Sequence, residues 1–285
     1  MEIRVENLTK SFKKTDALKD VSFKLSGPKI YGLLGRNGAG KTTFMDILAG
    51  HQLASSGSVY VNGKTPFDNR SITKDICMIK EGNNFQKEMK VKDIFKTCEI
   101  LYENWDRALA EELASMYNLP LKKKIKTYSK GMSSAVGIIV GLASKAPITI
   151  FDEPYIGLDA AGRKRFYDIL IEQYEMEERM IIFSTHLIDE VSLLFEEVLI
   201  LQDGELMVQE NADTLRQKAF SVTGDEKIVR EFICNKHVID TKQIANMMTA
   251  SVYGDKAEAE AFGLQVEGIP IQDLMIYLTE KKRGA

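Results

Sequence analysis

Gly35-Arg36-Asn37-Gly38-Ala39-Gly40-Lys41-Thr42 is the stretch on which the fold turns. It fits G-x-x-x-x-G-K-[ST], with the apolar run Ile30-Tyr31-Gly32-Leu33-Leu34 before it and Thr43–Leu48 able to open a helix after it. A strand, a glycine loop and a helix in that order let backbone N–H groups wrap a phosphate at the positive end of the helix dipole. Gly35, Asn37, Gly38, Gly40 and Thr43 are the candidate loop residues. Lys41 is expected on the β/γ-phosphates and the Thr42 hydroxyl on Mg²⁺, which makes ATP and Mg²⁺ the expected ligands.

A phosphate loop needs a second strand ending in a carboxylate. Ile148-Thr149-Ile150-Phe151-Asp152-Glu153 supplies it, with Asp152 at the strand's C-terminal end, beside the loop. Asp152 is the candidate Mg²⁺ residue, and Glu153 the candidate for polarising an attacking water. Farther out, Ile3/Val5, Val21/Phe23/Leu25 and Val59/Val61 alternate as in strands, with Asn62-Gly63 as a turn signal. From Val91 to Tyr117 apolar residues recur at helical spacing, and Met132–Ala143 reads as a buried helix. Met180–Phe183 is another buried strand, and Phe166, Ile169, Leu170 and Tyr174 form a helix face before it. Strands alternating with helices predict an α/β fold with a mostly parallel sheet.

After Leu215 the elements shorten. Phe220–Thr223, Asp225–Cys234, Val238–Ile244, Met247–Tyr253, Asp255–Phe262 and Leu264–Ile269 read as β, α, β, β, α, β, with a last helix Ile271–Lys282 after Pro270. This predicts a small α+β unit over residues 219–285 behind a main unit over residues 1–215.

Composition narrows the function. The chain has 285 residues, 44% hydrophobic and 28% charged, with a net charge of −3, so no basic field points to nucleic acid. Cys77, Cys98 and Cys234 form no CxxC pair, which argues against a structural zinc site and fits a reducing cytosol. No secretory signal is read at Met1-Glu2-Ile3-Arg4-Val5. The longest uncharged stretch, Gly131–Ser144, is 14 residues and too short to span a bilayer, which takes about 20.

With these residues in view, the chain resembles the ATP-binding cassette (ABC) family over residues 1–215. Phe12 matches the aromatic that stacks on adenine, although an aromatic in a polar loop can also be a packing anchor. Ser129-Lys130-Gly131-Met132 stands where the family has Ser-Gly-Gly-Gln, Gly157-Leu158-Asp159 matches the D-loop, and Ser184-Thr185-His186 matches the strand end carrying the switch histidine. The resemblance implies a P-loop NTPase cassette with an antiparallel β subdomain and a helical subdomain at about 82–133. It also implies that Ser129 and Gly131 face the γ-phosphate of a partner subunit's ATP and that His186 contacts a γ-phosphate. Three positions in two motifs depart from the pattern. Lys130 and Met132 replace Gly and Gln, and Glu81 occupies the Q-loop position, where a carboxylate can still approach Mg²⁺.

The resemblance is strongest to ATPase subunits of bacterial exporters with separate membrane subunits. It therefore implies an ATP hydrolase that pairs with a second cassette, homo- or heterodimeric, and docks on an integral membrane permease through the surface around Glu81 and Phe85-Gln86. Its place is then the cytoplasm, on the inner face of the cell membrane. Two alternatives stay open: a catalytically weak regulatory subunit, and a soluble ABC ATPase acting on DNA or ribosomes. Only 88 positions separate Lys41 from Ser129, which leaves no room for the coiled coil of the DNA-repair type.

Overall fold

A computed structural model describes residues 1–279 other than 14 and 255. In chain order it begins with strands β1 (Glu2–Phe12), β2 (Thr15–Ser26) and β3 (Ile30–Leu34), then helix α1 (Lys41–Leu48), β4 (Ser56–Val61), α2 (Arg70–Thr73) and β5 (Ile76–Ile79). Helices α3 (Val91–Leu101), α4 (Arg107–Met116) and α5 (Lys130–Ala143) follow, then β6 (Ile148–Asp152), α6 (Ala160–Met176), β7 (Met180–Ser184), α7 (Ile188–Val191), β8 (Glu197–Gln202) and β9 (Glu205–Asn211). The last third holds α8 (Ala212–Lys218), β10 (Ala219–Asp225), α9 (Glu226–Ile233), β11 (His237–Ile244), β12 (Met247–Tyr253), α10 (Lys256–Ala261), β13 (Gln265–Gly268) and α11 (Ile271–Thr279). The expected helix end at 280–282 lies outside the described residues.

A six-stranded sheet in the order β5-β6-β7-β3-β8-β9 is the spine, parallel except for β9. Its central strands are buried on both faces, which is why they read as unbroken apolar runs. Period-two alternation divides them. Ile148, Ile150, Met180 and Ile182 face a core shared with α1 and the antiparallel sheet β2-β1-β4, whereas Phe151, Ile181 and Phe183 face a core shared with α3, α4, α5 and α6. Strands β3, β6 and β7 run parallel and end at the same edge of this sheet, so the loops after them meet.

The helical stretch Val91–Tyr117 differs from the single period read in the sequence. It breaks between α3 and α4, and Asp106 starts the second helix by accepting from Leu109 N at 2.9 Å, an N-cap. Tyr102, Trp105 and Leu109 still pack on the core across the break, with the Trp105 ring 5.8 Å from Phe95. Residues at helical spacing were therefore buried together without all being helical.

The C-terminal strands form a separate antiparallel sheet, β11-β12-β10-β13, with its own core of Phe220, Val222, Val229, Phe232 and Val252 among others. Ile269, Ile271, Leu274 and Met275 instead join the large core beneath the parallel sheet. Among the described residues no helix is long and apolar enough to cross a membrane.

Candidate functional site

The loop from β3 into α1 is built by its sequence. Gly40 caps α1 at φ +104°, and a Cβ there would stand 2.4 Å from the Ala17 carbonyl, so only glycine fits. Arg36, Asn37 and Gly38 are exposed at the loop crest, and Thr43 lies half-buried in the first turn of α1. Lys41 folds back over the loop, its Nζ donating to Gly35 O at 2.7 Å and Arg36 O at 3.3 Å. It is only 7% exposed. Burial pulls its pKa down, while the Glu153 and Asp152 charges act against that fall. An ammonium so placed is hydrogen-bonded to neutral carbonyls, a fit for a phosphate group.

Asp152 ends β6 opposite Ser184 at the end of β7, by strand register. The Ser184 hydroxyl donates to Asp152 Oδ1 at 2.5 Å and the Thr42 hydroxyl to Oδ2 at 2.7 Å. Three segments thus fix one carboxylate that is 5% exposed. Among the described residues no group of three or more His, Cys, Asp or Glu side chains could hold a metal alone. One hydroxyl and one carboxylate are hard oxygen donors that fit Mg²⁺, which characteristically keeps waters and takes phosphate oxygens for its other positions.

Glu153 turns the chain in the left-handed region at φ +50°, with its N–H on Ser184 O at 3.2 Å. Its Oε2 meets His186 Nδ1 at 2.7 Å and takes a hydrogen bond from the Tyr155 hydroxyl. Glu153 and His186, separate candidates from distant segments, are therefore brought together. Tyr155, Ser184 and Thr185 complete this cluster without having been singled out as site residues. Tyr155 carried one usable signal, an aromatic two residues after the candidate base. Ser184 becomes visible only once β6 and β7 are in register.

The remaining candidates lie apart from this cluster. Ser129 caps α5, its Oγ accepting from Met132 N at 3.2 Å, and Asp159 caps α6, accepting from Gly162 N at 2.7 Å. A Cβ on Gly131 would come within 2.4 Å of Gly157 O, so this glycine lets the start of α5 lie against the loop carrying Asp159. Glu81 is exposed and pairs with Lys130 at 3.2 Å, joining two of the three positions that depart from the family pattern. Phe12 ends β1 with 46% exposure, under Lys10 Nζ at 4.9 Å from its ring centre.

Residues 18–156 match the family described as ABC transporter. The uncharacterized ABC transporter ATP-binding protein MJ1023 of Methanocaldococcus jannaschii is 36% identical over 213 residues, covering 72% of this chain and 75% of that protein. The lantibiotic transport ATP-binding protein SrtF of Streptococcus pyogenes is 29% identical, covering 74% of this chain and 91% of that protein. A dimeric post-hydrolysis structure of the cassette MJ0796, bound to ADP and Pi, shares the fold at a TM-score of 0.64 and 23% identity, over 74% of this chain and 98% of that one. At 36% identity over more than two thirds of both chains, the MJ1023 match settles the kinship: the chain belongs to the ABC transporter family, as a nucleotide-binding, ATP-hydrolysing subunit that powers a transporter.

Proposed function

We propose that this chain is the ATPase of an exporter. Glu153 acts as general base, Lys41 and the loop Gly35, Asn37, Gly38, Gly40, Thr42 and Thr43 hold the phosphates, and Thr42 with Asp152 holds Mg²⁺. The observation that carries this reading is the convergence of Thr42, Asp152 and Ser184 beside the Glu153–His186 pair. A Mg²⁺ ion held by Thr42 and Asp152 would offset charge on the phosphate oxygens. Glu153 Oε2 is engaged by His186 and Tyr155, so Oε1 is the oxygen that accepts a proton from the attacking water. His186 reports the γ-phosphate through its exposed ring, and Phe12 stacks on the adenine.

Ser129, Gly131 and Asp159 belong, in this reading, to the opposite half of a site completed by a second cassette. The dimeric MJ0796 structure supports pairing in this fold, and SrtF, named for lantibiotic transport, supports transport as the work done. Glu81, paired here with Lys130, would be a further oxygen donor for Mg²⁺, and the surface around Glu81 and Phe85-Gln86 docks on an integral membrane permease. The chain then sits in the cytoplasm against the inner face of the cell membrane. Residues 1–215 form the cassette, with its helical subdomain at about 82–133, and residues 219–285 an accessory unit.

The test is Glu153→Gln in the purified chain. Loss of a general base costs about 10²–10⁴-fold in turnover. ATP binding is retained, and an ATP-dependent dimer accumulates in light scattering, which Ser129→Arg abolishes. Turnover at the parent rate would remove Glu153 from the mechanism. An inactive variant that stays monomeric would make a different cassette chain the partner.

A further inference from the structure

We infer that Tyr155 is a positioning residue for ATP hydrolysis: its hydroxyl locks the Glu153 carboxylate and the start of the His186 loop into one arrangement. The inference rests on the reading of Glu153 as general base.

Packing sets where the hydroxyl lies. The Tyr155 ring is 2% exposed. It stacks on Phe183 with centroids 6.2 Å apart and meets Tyr167 edge-on at 6.4 Å. Four groups surround the oxygen: Glu153 Oε2, Thr185 Oγ1 at 2.6 Å, His186 N at 3.3 Å and His186 Nδ1 at 3.5 Å.

Counting protons assigns the bonds. A phenol has one proton to give and can accept two. The His186 backbone N–H can only donate, so it donates to Tyr155. Thr185 Oγ1 accepts from Leu187 N at 2.9 Å, and its own proton then goes to the Tyr155 oxygen. The phenol proton is left for Glu153 Oε2, which as a carboxylate oxygen only accepts. The same oxygen takes His186 Nδ1–H, a tautomer assigned by this network. Burial, with the Glu153 charge beside it, pushes the Tyr155 pKa well above the ordinary value, so the phenol stays a donor across the working range.

Two donors on one oxygen remove most of the rotational freedom of a glutamate side chain, and a freely rotating glutamate would have to regain that order at each turnover. Position matters steeply for catalysis: a misplacement of about 1 Å can cost 10²-fold. A purely structural tyrosine, by contrast, would contribute its ring packing and a satisfied hydroxyl, and its loss would appear in stability alone.

Tyr155→Phe keeps the ring and removes the hydroxyl, so it separates these roles. In the full chain we expect kcat for Mg-ATP to fall about tenfold with KM within about twofold of the parent. Added to Glu153→Gln, it should lower the residual single-turnover rate by less than about twofold, because a residue acting through Glu153 has nothing left to position. Parent kcat with a lowered Tm would make Tyr155 structural and overturn the inference. So would an equal loss of rate in both backgrounds. Full turnover of Glu153→Gln alone would bring down the general-base reading and this inference with it. Loss in Glu153→Gln with none in Tyr155→Phe would bring down this inference only.

Discussion

The two groups of residues proposed for nucleotide binding are held in opposite ways. Around Lys41 and Asp152, the lysine closes onto the carbonyls of its own loop, Thr42 and Ser184 reach Asp152 from distant segments, and Lys41, Asp152 and Ser184 are buried. Around Ser129 and Asp159, each polar side chain caps its own helix, and both are exposed. The first group is fixed by the protein's own hydrogen bonds. The second is a pair of helix starts pressed together at Gly131 and Gly157 and open on the outside, as suits a surface completed by another molecule. Preorganised charge is worth most where water is excluded. Damage to the buried group should therefore cost far more than damage to the exposed one.

The largest effect is expected from Lys41→Ala. It removes the only side-chain ammonium closed over the loop among the described residues, and with it the main counter-charge for the phosphates. Deleting one such electrostatic stabiliser costs about 10²–10³-fold in turnover. ATP titration by nucleotide fluorescence should show weakened binding alongside the lost rate. Parent turnover at saturating Mg-ATP would refute the assignment of the buried group.

A middling effect is expected from Gly131→Ala. The new methyl would meet the Gly157 carbonyl at 2.4 Å, a backbone atom that cannot swing away, so α5 and the Asp159 loop must separate. Overpacking of this kind typically costs about 1–3 kcal/mol. Tm should fall, and ATP-driven dimerisation should weaken, while nucleotide affinity of the single chain stays at the parent value. An unchanged dimer would detach Gly131 from the second group.

Local patterns carried the buried group almost entirely. The phosphate loop and the Ile148–Asp152 strand were readable because strand, turn and helix lie within a few residues of one another, and Ile30–Leu34 coincides with β3. Other strands were passed over. Ile76–Ile79 is only four residues long, and Glu205–Asn211 mixes exposed and half-buried positions. The break at Asp106 was hidden because apolar spacing reports burial and says nothing of backbone hydrogen bonds. The contacts of Tyr155 and Ser184 were out of reach for a related reason: they arise from the register of β6 against β7 and the turn at Glu153, and neither is a local property. The C-terminal elements were legible one by one. Their joint core with the cassette, through Ile269, Ile271, Leu274 and Met275, was not.

The smallest effect is expected at the contact between the two departures from the family pattern. Lys130 and Glu81 are 3.2 Å apart with side chains 61% and 55% exposed. Exposed pairs contribute less than about 1 kcal/mol, so Lys130→Ala should leave Tm nearly unchanged. Its consequence is for Glu81, which loses the charge that holds it at the start of α5 and becomes available on the Mg²⁺ side. The half-saturating Mg²⁺ concentration for ATPase should fall about two- to threefold, the range open to a competitor of that strength. The difference between parent and variant should vanish near 1 M salt, where the screening length shrinks to about 3 Å and the parent pair no longer holds. Glu81→Gln should move the Mg²⁺ requirement upward instead, and Lys130→Ala added to it should do nothing further. Equal Mg²⁺ dependence in the parent and Lys130→Ala at low salt would leave the pair as two solvated side chains and confine the difference between the two groups to burial alone.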